Sequence, residues 1–256
     1  RLFLEERQLS APIPFLQRTS MCLVLGSALW MVLVCLVSLT GHGGLMLWRG
    51  LAAVMALTAV VLEILWGRRN KQVLTGAWLK AVKNSADKGR SESMAQAALL
   101  AFIITMVLIQ AGRMNIELDY DSLHYGLRSA YVLDNGKGIY ENLGMINLVY
   151  TYSKGLEVLV LPLSGTPTYG FVLAFSLWCT VGILLLAADI VGRYCGQVKG
   201  ILAAAILAAI PGIMNMAATA KSDNITLLHQ LIIYDFICFA LWDGKQGKKS
   251  SSAKNI

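Results

Sequence analysis

Two carboxylates one residue apart, Asp119 and Asp121, are the residues of this sequence whose type and spacing best suit chemistry. Such a pair can share a divalent cation such as Mg²⁺ or Mn²⁺ through oxygen ligands, or one carboxylate can act as a general base while the other orients it. His124 and Arg128 follow about one and two helical turns later. Either arrangement suits displacement of a phosphate leaving group, and the choice between base and metal stays open.

A purely structural role is the alternative for the same residues. From Ser122 the pattern is helical, with apolar or small residues recurring at helical spacing and Gly136 available for the left-handed position that ends a helix. Ser122 is predicted to cap this helix, and the helix is predicted to lie flat on the membrane surface. In that case the only effect of the two carboxylates is that their negative charge stabilises the N-terminus of the helix.

The composition predicts an all-α integral membrane protein. The 256 residues are 56% hydrophobic and 14% charged, and the apolar residues form long unbroken runs. The net charge of +7 comes from basic residues in short segments between those runs, which is typical of membrane topology. We therefore expect membrane lipids, and no nucleic acid, as partners.

About 20 apolar residues are needed to cross the hydrocarbon core of a bilayer. Six runs are long enough, and one of them contains the pair Pro211-Gly212, which is expected to kink or interrupt its helix. The six predicted spans are residues 21–40, 45–66, 94–112, 170–191, 201–220 and 224–242.

Lysine and arginine counts in the connections orient these spans. The basic segment 67–93 is predicted to be cytoplasmic, as are both termini. The acidic segment, which we define as residues 113–169, then lies outside. The chain divides into an N-terminal hairpin with its basic loop (1–93), a membrane region that includes the acidic segment (94–242) and a polar tail (243–256) that is not expected to pack.

Three stretches in order carry a family resemblance: "ELDYDSLHYGLRSAYVLDNG" after a span, "YTYSKGLEVLVLPL" before the next, and "AATAKSDNITLL" at the start of a later one. Over residues 94–242 the chain resembles the N-terminal half of the GT-C superfamily of polytopic glycosyltransferases, such as the mannosyltransferases and aminoarabinose transferases. The resemblance implies transfer of a sugar from a polyprenyl-phosphate-linked donor to an acceptor at the extracytoplasmic face, in a bacterial plasma membrane.

The resemblance also implies roles for individual residues. Asp119 and Asp121 match the superfamily's acidic motif, in which one acid acts as base on the acceptor hydroxyl or helps to bind a metal. The other candidates are substrate-binding residues in the acidic segment and at the start of the last span: His124, Arg128, Glu157, Lys221 and Asp223. The hairpin ahead of the motif and the small number of spans depart from the family pattern, so we expect a fragment or a divergent member.

Two other functions are compatible with the same sequence. Asp235 lies within an apolar run, where an ionisable residue is costly. With the break at Pro211 it suggests a transporter or lipid-handling protein in which both line a substrate path. A non-catalytic assembly protein is the third possibility, and for it neither Asp121 nor Asp235 would matter.

Overall fold

The protein is described here by a computed structural model that covers residues 15–69, 90–114, 119–123, 127, 136–140, 155–164 and 170–252. All regular structure within these ranges is helical, which confirms the all-α prediction. The helices are α1 (Phe15–Ser38), α2 (Leu45–Arg69), α3 (Arg90–Gly112), α4 (Gly155–Val160) with the 3₁₀ turn Leu161–Leu163, α5 (Gly170–Cys195), α6 (Gln197–Ala208), α7 (Pro211–Met216) and α8 (Asp223–Ser252).

Four of these helices are long and apolar enough to cross a membrane. The spanning stretches are Thr19–Ser38 in α1, Leu45–Leu62 in α2, Met94–Gly112 in α3 and Gly170–Cys195 in α5. Each coincides within a few residues with a predicted span. In the hydrocarbon core the backbone N–H and C=O groups of such a run have no water to bond, so they are satisfied within a helix. An integral membrane protein therefore follows from the helices as well as from the composition.

The predicted span 201–220 is not one continuous helix. The structure divides it into α6 and α7, and the break falls between Ala208 and Pro211, where Ile210 is extended (φ −79°, ψ 112°). Proline lacks the N–H that would continue the helix, and it disfavours the helical conformation of the preceding residue. The expected interruption at Pro211-Gly212 is thus confirmed.

The last helix differs from its prediction at its far end. It begins at Asp223, one residue before the predicted span, and it continues to Ser252. It therefore includes most of the stretch that was predicted to be an unpacked polar tail. Lys recurs there and is a good helix former, and a helix already nucleated in α8 can extend through this stretch although it contains two glycines.

Helix α5 is the centre of the bundle. Half of its apolar stretch is buried, against 6% in α2 and in α3. Its residues Leu173 and Ile183 share one buried cluster with Leu228 and Ile232 of α8. On another side, Leu184 packs with alanines of α6. The helices that follow α5 in the chain therefore pack on α5 itself.

Helix α8 begins partway along α5 instead of beside its first residue. The Asn224 amide donates to Thr180 Oγ1 (2.7 Å), and Thr180 lies ten residues after Gly170, about 15 Å along the helix axis. The 12 residues of α6 likewise rise only about 18 Å. The chain from α6 to α8 thus turns back partway along α5.

Some described residues of the acidic segment pack against the start of α5. Leu127, Leu156 and Val160 belong to the same buried cluster as Val172 and Leu173, near the start of α5. The side chain of Leu127 is buried in protein (4% exposed), while residues 124–126 and 128–135 of the helix predicted to lie flat on the bilayer are outside the described residues. The expected left-handed glycine is confirmed, with Gly136 at φ +85°.

Candidate active site

Asp119 caps the helical turn that carries the motif. It directly precedes the first helical residue, Tyr120, and its Oδ2 accepts hydrogen bonds from the Ser122 N–H (2.9 Å) and the Ser122 hydroxyl (3.1 Å). This is the usual contact between an aspartate N-cap and the third residue of a helix. The prediction that Ser122 is the cap is therefore wrong: Asp119 caps, and Ser122 is the donor.

Ser122 also ties the motif to a distant part of the chain. Its side chain is completely buried (0% exposed), and its Oγ accepts the N–H of Ala220 (2.9 Å). Ala220 belongs to the α7–α8 connection, residues 217–222, which leads into α8. The hydrogen bond joins residues 98 positions apart and brings the next residue, Lys221, to the motif.

Lys221 lies between the two carboxylates. Its Nζ is 3.1 Å from Asp119 Oδ2 and 3.0 Å from Asp121 Oδ2. The lysine side chain is 13% exposed, whereas those of Asp119 and Asp121 are 31% and 44% exposed. The structure thus brings Lys221 to the Asp119–Asp121 pair, and the most exposed member of the resulting cluster is Asp121.

The charged forms of this cluster stabilise one another. Partial burial alone would raise the pKa of the Asp119 carboxyl, but the hydrogen bonds from Ser122 and the contact with Lys221 together lower that pKa below its ordinary value. Burial acts on Lys221 in the opposite direction and is again outweighed, so its contacts with Asp121 and Asp119 raise the pKa of the ammonium. Both groups are therefore charged at neutral pH.

The two carboxylates are not equivalent. Asp119 Oδ2 receives three donors, from the Ser122 N–H, the Ser122 hydroxyl and Lys221. Among the described residues, Asp121 has Lys221 as its single hydrogen-bond or ion-pair partner, and Asp121 is the more exposed. A carboxylate whose lone pairs already accept several donors is a poor base. Asp121 is the better placed of the two to receive a proton.

A divalent metal fits this arrangement poorly. The ammonium of Lys221 contacts the same carboxylate oxygens, Oδ2 of Asp119 and Oδ2 of Asp121, that would have to ligate Mg²⁺ or Mn²⁺ together. Within the described ranges no three His, Cys, Asp or Glu side chains form a group that could hold a metal ion. Lys221 already provides a positive charge next to both carboxylates.

Polar contacts hold the α7–α8 connection from both ends. Arg113, just after α3, donates through Nη1 to Gln110 Oε1 (2.8 Å) and to Asn215 Oδ1 of α7 (3.3 Å). At the other end the Asn224 amide donates to Thr180 Oγ1 and to the Ile213 carbonyl (3.3 Å). Sequence reasoning missed these contacts, since none of the pairs is close in the chain except Arg113 with Gln110.

The remaining predicted residues are placed as follows. Glu157 is in the first turn of α4 and is buried (6% exposed). Asp223 is exposed at the first residue of α8, where a negative charge favours the helix N-terminus, and it forms no ion pair with any described residue. His124 and Arg128 lie outside the described residues.

A second charged cluster lies toward the other end of α5. Arg193 pairs with Asp189 of its own helix (2.9 Å) and with Asp235 of α8. Asp189 and Arg193 are four residues apart, a spacing at which side chains on one helix meet. Asp235 is almost fully buried (1% exposed), but a neighbouring helix provides its counter-ion. Its location in an apolar run thus has a structural explanation.

Comparison with protein-family models, with curated proteins and with solved structures finds no match for this chain. The resemblance to GT-C glycosyltransferases stays a prediction.

Proposed function

We propose that this chain is an integral membrane glycosyltransferase, or part of one, that transfers a sugar from a polyprenyl-phosphate-linked donor to an acceptor. One observation carries the proposal. The Lys221 ammonium contacts both carboxylates of the Asp119–Asp121 pair, a few residues beyond the end of the membrane-spanning helix α3. A base next to a fixed cation at the edge of a membrane suits attack on a sugar whose leaving group is a lipid phosphate.

In the proposed reaction Asp121 takes the proton of the acceptor hydroxyl. The hydroxyl oxygen then forms a bond to the anomeric carbon of the donor sugar, and the bond from that carbon to the phosphate oxygen breaks. The phosphate leaves with the electron pair of that bond, and its charge is offset by Lys221. Asp119 stays ionised and holds Lys221 in place. No step requires a metal.

The contacts around Lys221 suggest this division of roles. If Asp119 were the base, it would first have to give up hydrogen bonds from Ser122. Asp121 needs to release only the contact with Lys221, which an incoming phosphate would attract. His124, Arg128, Glu157 and Asp223 remain proposed substrate contacts, and Mg²⁺ or Mn²⁺ remains a possible but less favoured cofactor.

The proposed setting of the enzyme has six membrane crossings, with α6 and α7 together as the fifth and α8 as the sixth. Both termini are cytoplasmic, and the acidic segment lies on the extracytoplasmic side of a bacterial plasma membrane. In this orientation Lys221, Asp119 and Asp121 lie on the outer side, set back from the start of α5 because α8 begins beside Thr180. The competing transporter hypothesis loses part of its support, because Asp235 already has Arg193 as its counter-ion.

The test is sugar transfer by the purified full chain in lipid nanodiscs, with radiolabelled sugars on polyprenyl phosphate as donors and an envelope-glycan extract as acceptor. Asp121→Asn is expected to abolish transfer, and Asp119→Asn to reduce it. Asp189→Asn makes the same chemical change at the other end of α5 and should retain transfer. Full activity of Asp121→Asn, or no transfer by the wild type with any donor, contradicts the proposal.

A further inference from the structure

The hydroxyl of Ser122 closes a ring of contacts that includes both sides of the candidate site. It accepts the N–H of Ala220, which is itself buried (1% exposed). The same hydroxyl donates its proton to Asp119 Oδ2 (3.1 Å). Lys221, the residue after Ala220, completes the ring through its Nζ, which is 3.1 Å from that oxygen of Asp119.

This ring fixes the ammonium in two ways. The bond to Ala220 sets how far the α7–α8 connection lies from the helical turn of the motif, and the bond to Asp119 sets the direction of the carboxylate. Without the hydroxyl, the Ala220 N–H would be left buried without a partner, a cost that favours movement of the connection. Lys221 would move with it.

We infer that Ser122 is a positioning residue, whose hydroxyl determines where the Lys221 ammonium lies relative to Asp119 and Asp121. The other long-range contacts of the connection lie farther from Lys221, and the Ser222 carbonyl, which accepts the Thr226 N–H, links the connection only to α8. Arg113 reaches Asn215 and Asn224 reaches Thr180, so both act on residues that are three or more positions from Lys221, whereas Ser122 holds the adjacent residue. The role of Lys221 in the reaction rests on the proposed function. The role of Ser122 in fixing the position of Lys221 does not.

The chemical reactivity of Lys221 tests this positioning without sugar transfer. An amine reacts with formaldehyde and cyanoborohydride in its neutral form, and carboxylate contacts keep Lys221 charged. The full chain in nanodiscs is methylated at fixed pH, and the Lys221 peptide is quantified by mass spectrometry. Loss of the hydroxyl in Ser122→Ala should raise the labelling rate roughly three- to tenfold, the factor that corresponds to the loss of about one hydrogen bond.

Ser176 of α5 offers a matched control. It is also a buried serine (3% exposed), but its hydroxyl oxygen has no hydrogen-bond partner among the described residues. Ser176→Ala should therefore label like the wild type. If Ser122→Ala fails to fold, as judged by size-exclusion chromatography, Ser122→Cys replaces it. The thiol has nearly the same volume but is a weak donor and acceptor, so faster labelling is still expected.

The outcomes separate the two hypotheses. Wild-type labelling in the folded Ser122 variant overturns the positioning role, whatever the enzyme activity is. If labelling is faster but sugar transfer is unchanged, the position of Lys221 does not matter for the reaction. If labelling is faster and transfer falls in proportion, the positioning role of Ser122 and the proposed function are both supported. If the wild type transfers no sugar at all, the proposed function fails, while the labelling rates still decide whether Ser122 positions Lys221.

Discussion

Arg193 of α5 and Asp235 of α8, 42 residues apart in the chain, form an ion pair whose carboxylate is 1% exposed. Replacing Arg193 by Gln leaves that carboxylate buried without a positive partner. Loss of one member of a buried pair costs about 3 to 5 kcal/mol, and we expect that decrease in the free energy of unfolding, measured by denaturant titration in micelles. The double variant Arg193→Met/Asp235→Leu should recover most of it. Equal stability of Arg193→Gln and wild type would contradict the pairing.

Lys221 should matter far more for activity than for stability. Its carboxylate partners are 31% and 44% exposed, so Lys221→Gln is expected to lower the free energy of unfolding by about 1 kcal/mol or less. If the ammonium offsets the leaving phosphate, sugar transfer should fall by about 100-fold or more. Lys221→Arg keeps the positive charge, and its rate of sugar transfer should lie between those of the wild type and Lys221→Gln. Stability and initial rates measured on the same nanodisc samples check both parts, and a stable variant with wild-type rates would exclude the proposed role.

The pH dependence of stability follows from the two pKa shifts. The pKa of Asp119 is lowered, so its contribution is present above the unfolded value of about 3.9 and is lost as the pH falls through the lower folded value. The pKa of Lys221 is raised, so its contribution is present below about 10.4 and is lost as the pH rises through the higher folded value. The difference in unfolding temperature between wild type and Lys221→Gln should therefore be constant from about pH 5 to pH 9 and shrink on both sides. A difference that disappears near pH 7 would rule out this pair of groups.

Gly200 sets the distance between α5 and α6. A Cβ at this position would lie 2.9 Å from the backbone of Gly192 and would also clash with the Ala188 carbonyl. Gly200→Ala should therefore force the helices apart and destabilise the protein by about 1 to 3 kcal/mol. The control is Gly26→Ala in α1, where the added methyl meets nothing within 4 Å and should stabilise its helix by about 0.5 to 1 kcal/mol. Thermal unfolding of the two variants gives the comparison, and similar midpoints would show that the crossing tolerates a methyl group.

The sequence predicted the long helices because each can be recognised from the hydropathy of its own residues. Runs such as Met94–Gly112 are apolar along almost their whole length, and the break before Pro211 follows from the missing N–H of one residue. The end of α8 was misplaced because hydropathy marks where a helix stops being apolar and does not mark where it stops being helical.

The sequence predicted which residues belong to the candidate site, but not which contacts they make. Asp119, Asp121 and Lys221 stand out by type, and the three-residue spacing from Asp119 to Ser122 fits an N-cap. The bond from Ala220 to Ser122 depends on how α5, α6 and α7 pack between them, which no local pattern encodes. The same holds for the assignment of Arg193 to Asp235 in addition to Asp189.

The residues of the candidate site are synthesised at different times. Lys221 follows Asp121 by 100 residues, and ribosomes add about 5 to 20 residues per second, so both carboxylates wait about 5 to 20 seconds for their counter-ion. During that interval water must solvate Asp119 and Asp121, and the hydrogen bond from the Ala220 N–H to Ser122 cannot form until α5, α6 and α7 have been made. The site is therefore assembled late, when the turn after α7 arrives.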